Sequence, residues 1–155
     1  MDINKNQNKE EKKMNLEDYI KFANENQVCS IATIDGDKPR VRGFLMWFAD
    51  ETGFYFHTGA TKNISKQLKK NPNIETCTIS QTPQGGKMMR ISGKVKFLND
   101  IALRTRLLEE RPFLKGLCSG PEDQFLEIFQ IYTGEAHFWT MENNLKESEI
   151  ERVAF

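Results

Sequence analysis

The sequence predicts a mainly β, α+β fold: an antiparallel sheet of about six strands that closes into a small barrel, with helices on its outside. Three observations predict it. Runs rich in β-branched and aromatic residues recur between Val28 and Met141, bounded by Gly, Pro, Asn or Asp. Most connections between them are hairpin-like and too short to hold a crossover helix, so neighbouring strands run antiparallel. The 155 residues, with 11 Phe and 38% hydrophobic content, suit one core-bearing domain, and barrel closure removes the sheet edges such a chain would otherwise expose.

Residues 1–13 carry no apolar periodicity and cannot offset the entropy of ordering, so they are expected to be a disordered tail before a single domain over 14–155. Asn15 is suited to cap a helix, with Asp18 three residues on and Leu16, Tyr19, Ile20 and Ala23 on one face; that helix should stop near Asn26. Val28–Ile34 and Arg40–Ala49 flank Asp35-Gly36-Asp37-Lys38-Pro39 as the arms of a hairpin, and Phe54–Thr58 is a third strand. Ile64 and Leu68 mark a short helix from Thr61 to Lys70, stopped at Asn71-Pro72. Strands follow near Ile74–Thr82 and Lys87–Leu98, then a helix from Asp100 to Glu110 closed by Pro112. The stretch from Phe113 to Asp123 is irregular, and strands near Glu127–Thr133 and Glu135–Met141 come last.

Lys and Arg number 22, as do Asp and Glu, so the zero net charge removes the electrostatic case for nucleic-acid binding. No apolar run approaches the ~20 residues that span a bilayer, and no apolar signal region follows Met1, so neither a membrane partner nor export is expected and the address is cytoplasmic by default. Three Cys without a close pair indicate neither a disulfide framework nor a zinc site, and no metal is expected. Charge is nevertheless unevenly placed. From Lys38 to Lys96 eleven basic residues face three acidic ones, and from Asp100 onward eleven acidic residues face six basic ones. A basic concavity for an anionic small molecule is one reading; lysines on solvated strand and helix faces are the other.

The stretch Phe56-His57-Thr58-Gly59-Ala60-Thr61-Lys62-Asn63 has the outline of a phosphate site, since a strand ends, a Gly-containing turn follows, and a helix opens beside hydroxyls and a Lys. It is not a nucleotide-triphosphate loop: before Gly86-Lys87 the position for that motif's first glycine is Gln81, and no GxGxxG occurs. With two His and no nucleophile elbow, the chain carries no hydrolase inventory and no catalytic side chain is assigned. His57 can be a packing histidine or a pocket residue. Trp139 can be core or the cover of a flat ligand.

Taken in order, several segments resemble the pyridoxamine-phosphate-oxidase-like family of FMN-binding split β-barrels, and within it the short branch of nitroimidazole-resistance proteins. They are Val28-Cys29-Ser30-Ile31-Ala32-Thr33, Lys38-Pro39-Arg40-Val41-Arg42-Gly43-Phe44, Phe54-Tyr55-Phe56-His57-Thr58 with Lys62, Lys66-Gln67-Leu68-Lys69-Lys70-Asn71-Pro72, and Arg90-Ile91-Ser92-Gly93-Lys94-Val95. The resemblance implies FMN as cofactor, its phosphate held by Arg42, Thr58 and Lys62 with Asn63 and Gln67 as neighbours. It further implies a flavin ring bordered by the backbone around Phe44 to Met46, with His57 and Trp139 shaping the pocket. The flavin would lie at the interface of a homodimer and serve a small-molecule substrate, a planar acceptor such as a nitro compound, with electrons from a nicotinamide donor. A flavin carrier without turnover, or a barrel for haem or deazaflavin, are the alternatives. Two departures argue against oxidation of pyridoxamine phosphate: the loop reads Gly59-Ala60-Thr61-Lys62-Asn63 instead of carrying a Ser-Arg-Lys cluster, and the ending Glu149-Ile150-Glu151-Arg152-Val153-Ala154-Phe155 lacks the family's substrate-phosphate segment.

Overall fold

A computed structural model describes residues 14–82 and 85–155. The tail expected over 1–13 and the centre of the turn at Pro83-Gln84 lie outside the described residues. Helix α1 spans Leu16–Glu25, and its start is a reciprocal cap in which the Asn15 side chain accepts from the Asp18 N–H and the Asp18 carboxylate accepts from the Asn15 N–H, both at 3.1 Å. Loss of a cap costs typically ~1 kcal/mol. Asn15→Ala should therefore lower the urea midpoint by about that much stability, with an unchanged m-value.

Among the described residues the sheet holds eight strands, against about six expected. Strand β1 (Val28–Asp35) turns through Gly36-Asp37 into β2 (Lys38–Leu45), then come β3 (Phe48–Asp50) and β4 (Gly53–Gly59). Helix α2 (Asn63–Lys70) leads into the long hairpin of β5 (Asn73–Thr82) and β6 (Gly85–Leu98). Helix α3 (Ile101–Glu110) runs into a 3₁₀ turn at Pro112–Gly116, and β7 (Leu126–Thr140) and a short β8 (Val153–Ala154) complete the sheet. All pairings are antiparallel, in the order β2-β1-β5-β6-β7-β4-β3, with β8 on β7. The two ends of that path, β2 and β3, are separated in the chain only by Met46-Trp47, so the sheet must curl until its ends meet.

That junction corrects the single strand expected over Arg40–Ala49. The Met46 N–H donates to Gln27 O and the Trp47 N–H to Tyr55 O, both at 2.8 Å, so the backbone changes partners within two residues. The opposite correction applies after Leu126, where two expected strands are one. Gly134 falls between the two expected strands, but it faces Gly93 on β6, and a Cβ at Gly134 would stand 2.2 Å from the Ser92 carbonyl oxygen. Glycine is there to let two backbones approach, not to end a strand. Helix α2 also starts later than expected, with Lys62 as its extended N-cap residue and no side chain capping it. The ambiguous C-terminus pairs with β7 through Val153 and Ala154.

β4 explains how the core is laid out. Apart from half-buried His57 its residues are all buried, because it has apolar neighbours on both faces. Phe54 and Phe56 point into the barrel with Ile31, Met89, Ile91 and Ile131, and Phe56 stacks on Phe129 with centroids 5.2 Å apart. Tyr55 points the other way, into a second cluster with Trp47, Leu107, Leu108, Leu114 and Ile128 that fixes α3 and the 3₁₀ turn against the barrel wall. The site lies where β4 leaves these two cores.

Candidate functional site

On β2 the side chains of Arg42 and Phe44 share the inward face. Phe44 plugs the barrel, its ring 6.0 Å from Phe56 and 6.1 Å from Phe129. Arg42 is held at the rim: its Nη1 donates to Thr33 Oγ1 and its Nη2 to Gln67 Oε1, each at 2.7 Å, and Thr33 Oγ1 donates to the same Gln67 oxygen at 2.6 Å. Burial, then repulsion from Arg40, hold the guanidinium below its ordinary pKa. Among the described residues no carboxylate lies within ion-pairing distance of Arg42 or Lys62. A guanidinium oriented by neutral acceptors keeps its charge available for an anion.

Two adjoining cavities open here. The larger, of about 730 Å³, is lined by Arg40, Arg42, Lys62 and Lys66 against the lone carboxylate of Asp35, with Asn63, Ile64 and Gln67 from the first turns of α2. Asp35 is ion-paired to Arg40 at 3.0 Å, so the cavity's surplus is positive. The uncapped N-terminus of α2 adds its partial positive charge. The smaller cavity, of about 300 Å³, is walled by Phe113, Leu114, Leu117, Phe125 and Leu126 and floored by Thr58 and Gly59. The Phe125 ring presses on Gly59 so closely that a Cβ there would lie 2.7 Å from it. Gly43, Phe44 and Lys62 line both cavities, which makes them one groove with a cationic half and an apolar half.

His57 and Arg111 stand in the apolar half. Arg111 Nη1 lies 3.1 Å from His57 Nε2, and Arg111 Nη2 donates to Met46 O at 2.7 Å. Arginine can only donate, so Nε2 is the acceptor and the imidazole proton sits on Nδ1. Burial, with the charges of Arg111 and Lys62, lowers the His57 pKa to about 4, so the ring is neutral at pH 7. Thr58, buried beside it, has an Oγ1 with no hydrogen-bond partner among the described residues. A buried hydroxyl without a partner is costly.

Of the residues singled out from sequence, Arg42, Phe44, His57, Thr58, Lys62, Asn63 and Gln67 line this groove. Trp139 does not: it pairs opposite Met88 on β6 and borders neither cavity of its own chain. Arg111 was missed. Its signal in the sequence was only its place before Pro112, where a helix must end; which wall it would join depends on packing more than fifty residues away. The sequence pattern predicts only irregular chain for the cavity wall at Phe113–Leu117, most of which is a 3₁₀ turn.

The family model described as Pyridoxamine 5'-phosphate oxidase matches residues 16–139. The chain belongs to this family. Its fold agrees with that of a NimC/NimA family protein from Clostridium acetobutylicum, with a TM-score of 0.72 and 25% identity over 88% of this chain and 94% of the other. General Stress Protein 26 from Bacillus anthracis superposes with a TM-score of 0.68 at 16% identity, covering 92% of this chain and all of that one (100%). A FAD-binding protein from Mesorhizobium loti gives 0.62 at 16% identity, with 81% and 92% covered. Among curated proteins no match is found. No described helix is long and apolar enough to cross a membrane.

Proposed function

We propose that this family member binds FMN in the groove and serves as an oxidoreductase, passing electrons from a nicotinamide donor to a small planar acceptor. The observation that carries the reading is the groove's division: a cationic half charged for a phosphate meets an apolar half along Gly43 and Phe44, where the ring would lie, with Thr58 Oγ1 partnerless among the described residues. Arg42, Lys62 and Asn63 would take the phosphate, Gln67 would keep Arg42 aimed, and the Gly43–Leu45 backbone would border the ring. The flavin brings the hydride and electron chemistry itself. The chain's part is then to grip, orient and exclude water, which needs no acid–base pair of side chains. Membership of the Pyridoxamine 5'-phosphate oxidase family and the likeness to a FAD-binding protein support a flavin-type cofactor; the lack of a dinucleotide fingerprint favours FMN over FAD.

The test is the visible spectrum of the purified protein with and without added FMN, followed by anaerobic reduction with a nicotinamide donor and reoxidation by a nitroaromatic. Flavin bands and two competent half-reactions are the expected result. A Soret band, or no chromophore after FMN addition, overturns the cofactor; flavin bands without reduction leave a carrier.

The same reading includes a homodimer. Val41, Gly43 and Leu45 lie on the outward face of β2 and line the groove's mouth, so a second chain laid on that face would cover it. Val28 pairs with Leu45, and Ile79, Met88 and Trp139 form one row across β5, β6 and β7. Val28, Val41, Leu45 and Ile79 are exposed there, as an apolar face meant for a partner would be. On this arrangement Trp139 would serve the partner's groove. Light scattering should give twice the 18.0 kDa chain mass, and Val41→Lys with Ile79→Lys should return it to one; a wild-type monomer with FMN tightly bound overturns the arrangement.

A further inference from the structure

Arg111 is the one cation in the apolar cavity that the phosphate reading leaves without a role. Its place is built, not incidental. The His57 ring and the Met46 carbonyl orient two corners of its fork, and the remaining N–H groups have no partner among the described residues. The neighbouring carboxylate of Glu110 is committed elsewhere, accepting from Arg106 at 2.7 Å and from the Trp47 indole at 2.7 Å. No carboxylate of the described residues pairs directly with Arg111, and burial depresses its pKa by more than the nearby charge of Glu110 raises it. A half-buried guanidinium fixed by neutral acceptors against apolar walls calls for an anion that arrives with the ligand.

The rest of the cavity says what kind of ligand. Phe113, Leu117 and Phe125 offer apolar surface, with Phe113 and Leu117 63% exposed at the rim, and about 300 Å³ is at the small end of the ~300–1,000 Å³ range of small-molecule pockets. A flat apolar body with one bidentate anion fits both features. We propose that Arg111 is the specificity-determining residue of this cavity and that the molecule accepted there is a small planar carboxylate, such as an aromatic acid, held by the Arg111 fork. This deepens the FMN reading by naming the acceptor's chemical class, and rests on it for the redox role though not for the binding itself.

Benzoate and benzamide have the same shape and differ in charge, so they are the probes. By titration calorimetry on the FMN-loaded protein, benzoate should bind at least about tenfold more tightly than benzamide, as one charge-assisted hydrogen-bond pair allows. Arg111→Gln should erase the preference while FMN affinity stays unchanged. Equal affinity for the two probes, or a preference that survives Arg111→Gln, overturns the proposal. So does a loss of FMN affinity in Arg111→Gln with the benzoate preference intact, which would assign Arg111 to the flavin. If FMN binds neither protein, the cofactor reading fails, and the benzoate preference of the protein as isolated, with its dependence on Arg111, still decides this proposal. Should Arg111→Gln not fold, Leu117→Glu places a carboxylate at the exposed rim: it should abolish benzoate binding and spare benzamide, and unchanged benzoate binding overturns the proposal.

Discussion

Lys62→Ala should weaken FMN binding by about tenfold or more, Arg42→Ala by at least as much, and the double variant by up to about a hundredfold. A hydrogen bond to an ionised group contributes roughly 1.5–3 kcal/mol, and 1.4 kcal/mol is a factor of ten. The two cations differ in how much organisation they bring. Lys62 is exposed at the mouth of α2 and must be immobilised on binding, which lowers its net contribution. Arg42 is already held by Thr33 and Gln67, so its fork meets the phosphate with little further ordering. Gln67→Ala should therefore show a smaller loss than Arg42→Ala, since it frees the guanidinium without removing it. The double variant will fall short of strict additivity because both side chains address one anion. Flavin-fluorescence titration measures all four proteins; full affinity in Arg42→Ala and Lys62→Ala together would remove the phosphate from the cationic half of the groove.

What could be read in the sequence was what local chemistry decides. The start of α1 was legible because its cap is a reciprocal exchange between Asn15 and Asp18, four residues that carry their own explanation. The strand end, turn and helix start from Thr58 to Asn63 were legible for the same reason, since they are contiguous. Arg42 came through the family resemblance, and its orientation by Gln67 could not come from sequence, because that contact joins residues 25 apart. The break at Met46-Trp47 was hidden in an unbroken apolar run: what breaks the strand is the exchange of backbone partners between Gln27 and Tyr55, neither of which the local pattern specifies. Gly134 misled in the opposite direction, as a glycine needed for backbone approach looks like one needed for a turn. His57 was correctly placed beside Thr58, but its protonation state depends on Arg111, which folds in from the far end of α3. Function at this site is assembled from segments that hold half of the answer each.

Acidification should destabilise the wild-type protein more than His57→Gln, by about 2–3 kcal/mol between pH 7 and pH 4. The folded-state pKa of His57 is lowered from 6.5 to about 4 by burial first and by Arg111 and Lys62 second. The unfolded chain therefore binds a proton at a pH where the folded one does not. The stability tied to the neutral ring is fully present above about pH 6.5, is lost as the pH falls from there to about 4, and does not change further below. His137, also lowered by burial first and then by Arg152, acts in the same direction and is common to both proteins, as are the carboxylates, so the difference isolates His57. Gln can still accept from Arg111, which keeps the variant folded. Urea unfolding at pH 7 and at pH 4 measures the effect, and parallel losses in the two proteins would show that the ring is not held neutral. The same physics limits the ring's part in turnover. A general acid or base works best with a pKa near the operating pH and contributes typically 10²- to 10⁴-fold; a ring that titrates near 4 and spends its lone pair on Arg111 is an acceptor that aims a guanidinium. In flavin reduction by a nicotinamide donor and reoxidation by a nitroaromatic, His57→Gln should lose only about tenfold or less, the scale of a ~1 kcal/mol contact. Abolition of either half-reaction at full FMN occupancy would make His57 a proton donor in spite of its burial.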